Sequence, residues 1–224
     1  MSACFVTATG TDIGKTFVTA GLIRALKRQG RAVDALKPVI SGWNSRAVAA
    51  SDTGVLLAAL ERPFVPGAVA EVSPWRFAAP LSPDMAAARE GRSIDFDALV
   101  AFCRERISAE TGSLLIEGVG GVMVPLDDRH TVLDWVAALG LPILLVAGSY
   151  LGTISHTLTA LHALQSRGLK PFALAISETE GGTVDLDETA RAIGRFAPDI
   201  EITALPRLTD SFDHPAFDRL AALI

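Results

Sequence analysis

The segment Gly10-Thr11-Asp12-Ile13-Gly14-Lys15-Thr16 sets a Gly-Lys-Thr turn between an apolar run, Cys4-Phe5-Val6, and an amphipathic stretch with Val18, Leu22, Ala25 and Leu26 on one stripe. Strand, turn and helix in this order form a cradle. Backbone N–H groups wrap a polyphosphate, the lysine reaches its outer phosphates, and the threonine hydroxyl helps hold Mg²⁺. The unit also constrains the fold, because the strand must lie inside a sheet with the helix packed on its face. The loop departs from the usual pattern at Thr9, where a glycine is common. A glycine turn that merely caps a helix is the plainer alternative.

The rest of the chain alternates in the same way. Apolar runs at 4–7, 32–37, 113–117, 142–147, 171–177 and 200–205 read as strands covered on both faces. Helical patterns fit between and after them at 15–28, 53–60, 97–109, 133–139, 154–167, 186–196 and 215–223, with Gly30 and Gly168 as stops and Pro215 as a start. Such alternation predicts an α/β fold: a doubly wound, mainly parallel sheet with helices on both faces, of the phosphate-loop NTPase type. The 224 residues show no linker or repeat and read as one domain. The proline-rich stretch 62–83 reads as an irregular surface excursion.

Charge and composition narrow the partners. A net charge of −5 without a Lys/Arg cluster argues against nucleic acid. No run approaches the roughly 18 apolar residues of a membrane span, and no signal sequence opens the chain, so a cytoplasmic location is expected. Cys4 and Cys103 share no metal or redox spacing and read as buried thiols. His130, His156, His162 and His214 are equally scattered, which makes a histidine-built metal site improbable.

In doubly wound sheets ligands gather beyond the carboxyl ends of the strands, and those positions are polar here. Lys37 and Ser41 follow the second strand, on a turn that Pro38 keeps from becoming helical. A lysine there either meets an anion or snorkels to water. Glu117 is followed by Gly118, Gly120 and Gly121, a carboxylate suited to Mg²⁺ beside backbone that a ligand can approach closely; a surface turn is the alternative. Asp52 either caps the next helix or serves the metal. Leu151-Gly152-Thr153 opens a helix whose free N–H groups could receive a carboxylate.

Taken together these segments resemble the dethiobiotin synthetase family. The N-terminal loop, Lys37-Pro38-Val39-Ile40-Ser41-Gly42, Ser51-Asp52, Phe77-Ala78-Ala79-Pro80-Leu81-Ser82-Pro83, Glu117-Gly118-Val119-Gly120-Gly121 and Leu151-Gly152-Thr153-Ile154-Ser155-His156 occur in that order. The resemblance implies an ATP-dependent carboxylase that closes the ureido ring of dethiobiotin from 7,8-diaminopelargonic acid and CO₂, as a homodimer with the substrate near the subunit interface. It implies that Lys15 bridges phosphates and carbamate, that Lys37 and Ser41 hold the carbamate, and that Thr11 lies near substrate. Thr16, Asp52 and Glu117 would set Mg²⁺; Asp12, Ile13, Gly14, Gly118, Gly120, Ser177 and Pro206 would contact nucleotide; Leu151, Gly152 and Thr153 would receive the substrate's far carboxylate. Ser177 stands where family members commonly carry an asparagine that reads adenine, so a pyrimidine nucleotide stays open. Trp43 either covers the site or packs as an ordinary aromatic. On this reading, loss of either lysine is expected to cost far more in turnover than in folding.

Two rivals share the phosphate loop. An amide-forming synthase of the same superfamily is disfavoured by the Lys37–Ser41 pair and by the lack of an attached glutaminase domain. A partition-type ATPase switch is disfavoured by Gly10, where that group usually places a second lysine, and by a closing helix with little cationic charge beyond Arg219.

Overall fold

The computed structural model describes residues 2–208 and 212–224. Eight strands are present among them: β1 (Ser2–Ala8), β2 (Val33–Leu36), β3 (Val39–Ser41), β4 (Trp75–Phe77), β5 (Ser113–Glu117), β6 (Ile143–Gly148), β7 (Pro171–Ser177) and β8 (Glu201–Leu205). The helices are α1 (Lys15–Arg28), α2 (Asp52–Ala59), α3 (Pro66–Val72), α4 (Pro83–Arg89), α5 (Phe96–Ala109), α6 (Val132–Leu139), α7 (Thr153–Ser166), α8 (Leu186–Gly194) and α9 (Pro215–Ala221).

Six strands form one sheet in the order β2-β5-β1-β6-β7-β8, and every pairing within it is parallel. Successive side chains leave a strand on opposite faces, so each strand feeds two cores. In β1, Cys4, Val6 and Ala8 enter the core with α1, α2, α3 and α9, whereas Phe5 enters the core with α4, α5, α6, α7 and α8. Phe5 meets the fully buried Trp135 edge to face at 4.9 Å. Both Cys4 and Cys103 are buried free thiols, as their spacing suggests, and burial pushes each up to about 12.

β1 lies at the centre, where the chain first winds toward β2 and later returns to β6. The loop leaving its carboxyl end therefore sits at the topological switch point, the crevice that this class of sheet uses for ligands.

The stretch 62–83 is more ordered than its prolines suggest. It holds α3 and β4, buries Val69, Val72 and Phe77, and ends where α4 begins. Pro66 and Pro83 occupy the first turns of α3 and α4, where a missing N–H costs nothing. The turn after Lys37 is likewise a strand. Pro38 blocks a helix but not an extended chain, and β3 pairs with β4 in parallel from Val39↔Trp75 to Ser41↔Phe77.

Candidate active site

The loop between β1 and α1 is pinned on two sides. Thr9 N donates to Val146 O at 2.9 Å, and Val122 N donates to Ala8 O at 2.9 Å. Within it Gly14 has φ 97° and Asp12 φ 56°, while Thr9 keeps an ordinary negative φ. The glycine usual at position 9 is thus not demanded by backbone conformation. At Gly14 it is demanded twice, because a Cβ there would also lie 2.6 Å from Ser177 Oγ. Gly14 offers α1 no side-chain cap, which leaves the first N–H groups of the helix available to an anion.

Charged groups converge on this loop from three strand tips. Lys15 Nζ donates to Gly10 O at 3.0 Å. Burial, aided by the nearby Lys37 cation, lowers the Lys15 ammonium to about 8. Lys37 Nζ, nearly inaccessible beyond the end of β2, lies 2.7 Å from Glu117 Oε1 and 3.0 Å from Asp52 Oδ2 and donates to Gly118 O at 2.9 Å. Burial alone would push this ammonium down, but the two carboxylates outweigh it and hold Lys37 above the ordinary lysine value. Asp52 moves the other way: burial opposes ionisation, yet Lys37 and the Thr16 hydroxyl hold it below the usual carboxylate range. Thr16 Oγ1 donates to Glu117 Oε1 at 2.6 Å. The snorkelling alternative for Lys37 and the surface-turn alternative for Glu117 both fail on burial. Ser51 caps α2 by accepting from Gly54 N, which leaves Asp52 free to face the cleft.

Lys15, Thr16, Lys37 and Asp52 line one cleft of about 480 Å³ that also takes in Thr11, Asp12, Ser41 and Gly120, while Glu117 is fully buried behind it, bonded to Thr16 and Lys37. Glu117 Oε2 is buried with no hydrogen-bond partner. An orphaned carboxylate oxygen beside Thr16 and Asp52 fits Mg²⁺, a hard cation satisfied by one or two carboxylates together with phosphate and water. Among the described residues no group of three or more His, Cys, Asp or Glu is placed to hold a metal ion.

Sequence relatives decide the family. ATP-dependent dethiobiotin synthetase BioD of Acidiphilium cryptum is 51% identical over 211 residues, covering 92% of this chain and 95% of that protein. The protein of the same name from Caulobacter sp. is 48% identical over 226 residues, covering 100% of this chain and 96% of its own. The chain belongs to the dethiobiotin synthetase family. The broader family described as an AAA domain matches residues 2–212. Among solved structures, the MinC:MinD cell division protein complex of Aquifex aeolicus superposes with a TM-score of 0.56 at 14% identity, covering 98% of this chain and 86% of that one. Identity that low speaks for the fold alone, so the switch-type rival gains nothing from it.

Not every expected residue of this dethiobiotin synthetase family member joins the cleft. A second cavity of about 470 Å³ on the other side of the loop shares Asp12 and Gly14 with the first and adds Ile13 and Ser177. Its walls include Phe17, Glu178, Arg207 and Leu208, which the sequence motifs do not mark although Arg207 and Leu208 stand just past the tip of β8. Pro206 instead lines a different cavity with His214 and Arg219. Gly118 contributes its carbonyl to Lys37 rather than a wall of the cleft. Leu151, Gly152 and Thr153 lie apart from both lysines, in an apolar cavity of about 810 Å³ with Tyr150, Leu158 and Phe196. Trp43 does not line the cleft; it is half-buried, packs on the α1 side of the core, and its ring takes the Arg76 guanidinium at 5.6 Å.

Proposed function

We propose that the chain is an ATP-dependent dethiobiotin synthetase that carboxylates 7,8-diaminopelargonic acid with CO₂ and closes the ureido ring, releasing ADP and phosphate. The observation that carries the reading is the convergence of Lys15, Thr16, Lys37 and Asp52 on one cleft from the ends of β1 and β2 and the start of α2, with Thr16 and Lys37 meeting at a single oxygen of the buried Glu117 at the end of β5.

CO₂ adds to one amine to form a carbamate, with loss of a proton. The γ-phosphoryl group passes to the carbamate oxygen, and the second amine displaces phosphate as the ring closes. Each intermediate is anionic, so the protein's task is positioned cations and donors rather than a covalent nucleophile. Lys15 reaches the phosphates and the carbamate, Lys37 and Ser41 hold the carbamate oxygens, and Thr11 lies against substrate. Thr16, Asp52 and Glu117 would hold Mg²⁺, which when bound neutralises triphosphate charge. The second cavity, with Ser177 and Arg207, is read as the base site.

The separation of Leu151, Gly152 and Thr153 from the cleft supports a homodimer in which a second copy brings this helix start to the substrate's carboxylate. Leu151 and Phe196 at its cavity are exposed apolar side chains. We read all 224 residues as one synthetase domain. The free thiols Cys4 and Cys103 suit a cytoplasmic location.

The test is incubation of the protein with diaminopelargonate, labelled bicarbonate, Mg²⁺ and each nucleoside triphosphate in turn. Label in an acid-stable ureido product is expected. Nucleotide hydrolysis indifferent to the diamine would reject the assignment.

A further inference from the structure

An ammonium group has three protons to donate, and around Lys37 each finds an oxygen: Glu117 Oε1 at 2.7 Å, Gly118 O at 2.9 Å and Asp52 Oδ2 at 3.0 Å. A lysine so engaged has no donor left for a carbamate. Lys15 differs, because its partner is the neutral carbonyl of Gly10, which holds it without a counter-charge. What frees Lys37 must therefore compete for carboxylate oxygens, and a divalent cation does so directly. Glu117 also has a second oxygen, Oε2, buried and unpartnered, at which such a cation can first be received.

We propose that Lys37 and a divalent cation exclude one another at Glu117 and Asp52, so that metal binding releases the Lys37 ammonium toward Ser41 across the shared cleft. Until then the lysine holds the two carboxylates in place with its own charge. The inference rests on the assignment of Thr16, Asp52 and Glu117 to the metal given under Proposed function. Its consequence is an order: the residue that grips the carbamate is presented only after the metal has arrived, so phosphoryl transfer chemistry is not assembled around a metal-free nucleotide.

The experiment measures Mn²⁺ alone, without nucleotide, by the loss of the free-ion electron paramagnetic resonance signal on wild-type protein and on Lys37→Met. The variant keeps an apolar stem and removes the competing charge. It is expected to bind Mn²⁺ about tenfold or more tightly, the scale of one charge-assisted hydrogen bond given up. Because this variant leaves a buried carboxylate exposed to unfolding, a second measurement uses wild-type protein: acetic anhydride labelling of Lys37 followed by mass spectrometry, with the exposed Lys170 as internal reference. Mg²⁺ is expected to raise Lys37 labelling relative to Lys170. Equal or weaker Mn²⁺ binding by a folded Lys37→Met protein, or labelling that Mg²⁺ leaves unmoved, overturns the proposal. Wild-type protein that still forms ureido product under those outcomes keeps the synthetase reading and loses only the exclusion.

Discussion

Gly14 and Ser177 approach so closely that a methyl group on Gly14 would stand 2.6 Å from Ser177 Oγ, across the gap between the phosphate loop and the tip of β7. Gly152 offers a natural control. It has nearly the same backbone, φ 98° against 97°, but its nearest would-be neighbour is His156 Cε1 at 3.8 Å. Gly152→Ala should therefore carry only the positive-φ strain, about 1 kcal/mol, whereas Gly14→Ala adds a clash and should lose about 2–3 kcal/mol. Urea midpoints of the two variants check this, and equal losses would show that the Ser177 contact has no weight.

The two lysines should separate in folding cost, which for Lys37 departs from the expectation that loss of either costs far more in turnover than in folding. Lys37→Ala leaves Glu117 fully buried without its cation, a change that costs about 3–5 kcal/mol. Lys15→Ala removes a desolvated cation whose hydrogen-bond partner is the neutral carbonyl of Gly10, so its stability should change little. Both should lose at least about 10²–10³ in rate, by analogy with deleted donors to a developing anion. The paired replacement Lys37→Met with Glu117→Leu should recover most of the lost stability and none of the activity. Chemical denaturation beside ureido-product assays reads both quantities; a Lys37→Ala protein as stable as wild type would contradict the burial argument.

The parallel sheet was legible because its strands are continuous apolar runs, and β5, β7 and α1 coincide with their sequence-read bounds. The phosphate loop, Lys37 and Glu117 were legible because a strand tip is where this fold concentrates ligand chemistry, whereas Asp52, in the first turn of α2, read equally well as a helix cap. What escaped had local causes. Pro66 and Pro83 read as breakers although each starts a helix, and β3 is only three residues long, too short for periodicity to register. Of the second cavity's walls, Phe17 escaped because it reads as part of an amphipathic helix, and Glu178, Arg207 and Leu208 because no glycine directly follows β7 or β8 as Gly118 follows Glu117. The distance of Leu151 from Lys37 was not legible at all, since chain order carries no information on which strand tips share a cavity.

Asp52 and Ser51 divide two tasks that one sequence position was asked to explain. Ser51→Ala removes the acceptor for Gly54 N and should cost about 1 kcal/mol of stability while leaving the Mg²⁺ requirement in place. Asp52→Asn keeps the cap but removes a carboxylate from Lys37 and the cleft, so it should raise the Mg²⁺ concentration needed for half-maximal turnover several-fold. Mg²⁺ titrations of product formation on both variants, set beside their thermal midpoints, distinguish the roles. A Mg²⁺ requirement shifted by Ser51→Ala and not by Asp52→Asn would reverse the assignment.

Lys15 should make nucleotide binding a proton-coupled event. Its ammonium is lowered to about 8 from the ordinary 10.5, so between those values the unfolded chain binds more protons at this site than the folded one. The burial penalty is fully present below pH 8 and fades as pH rises toward 10.5, which makes this group raise unfolding free energy with pH across that window. Lys37, held above 10.5, keeps its charge in the folded state, and its opposing slope sets in only toward the top of that window, where the unfolded chain starts to lose the same proton. A bound triphosphate favours the charged form of Lys15, because an anion beside an ammonium offsets its desolvation. Binding at pH 8.5 should accordingly take up a fraction of a proton, and affinity should weaken as pH climbs further. Calorimetric titrations of Mg²⁺-nucleotide in buffers of different ionisation enthalpy measure that uptake directly. Lys15→Met should abolish it, and proton release by the wild-type protein at pH 8.5 would place the titrating group elsewhere.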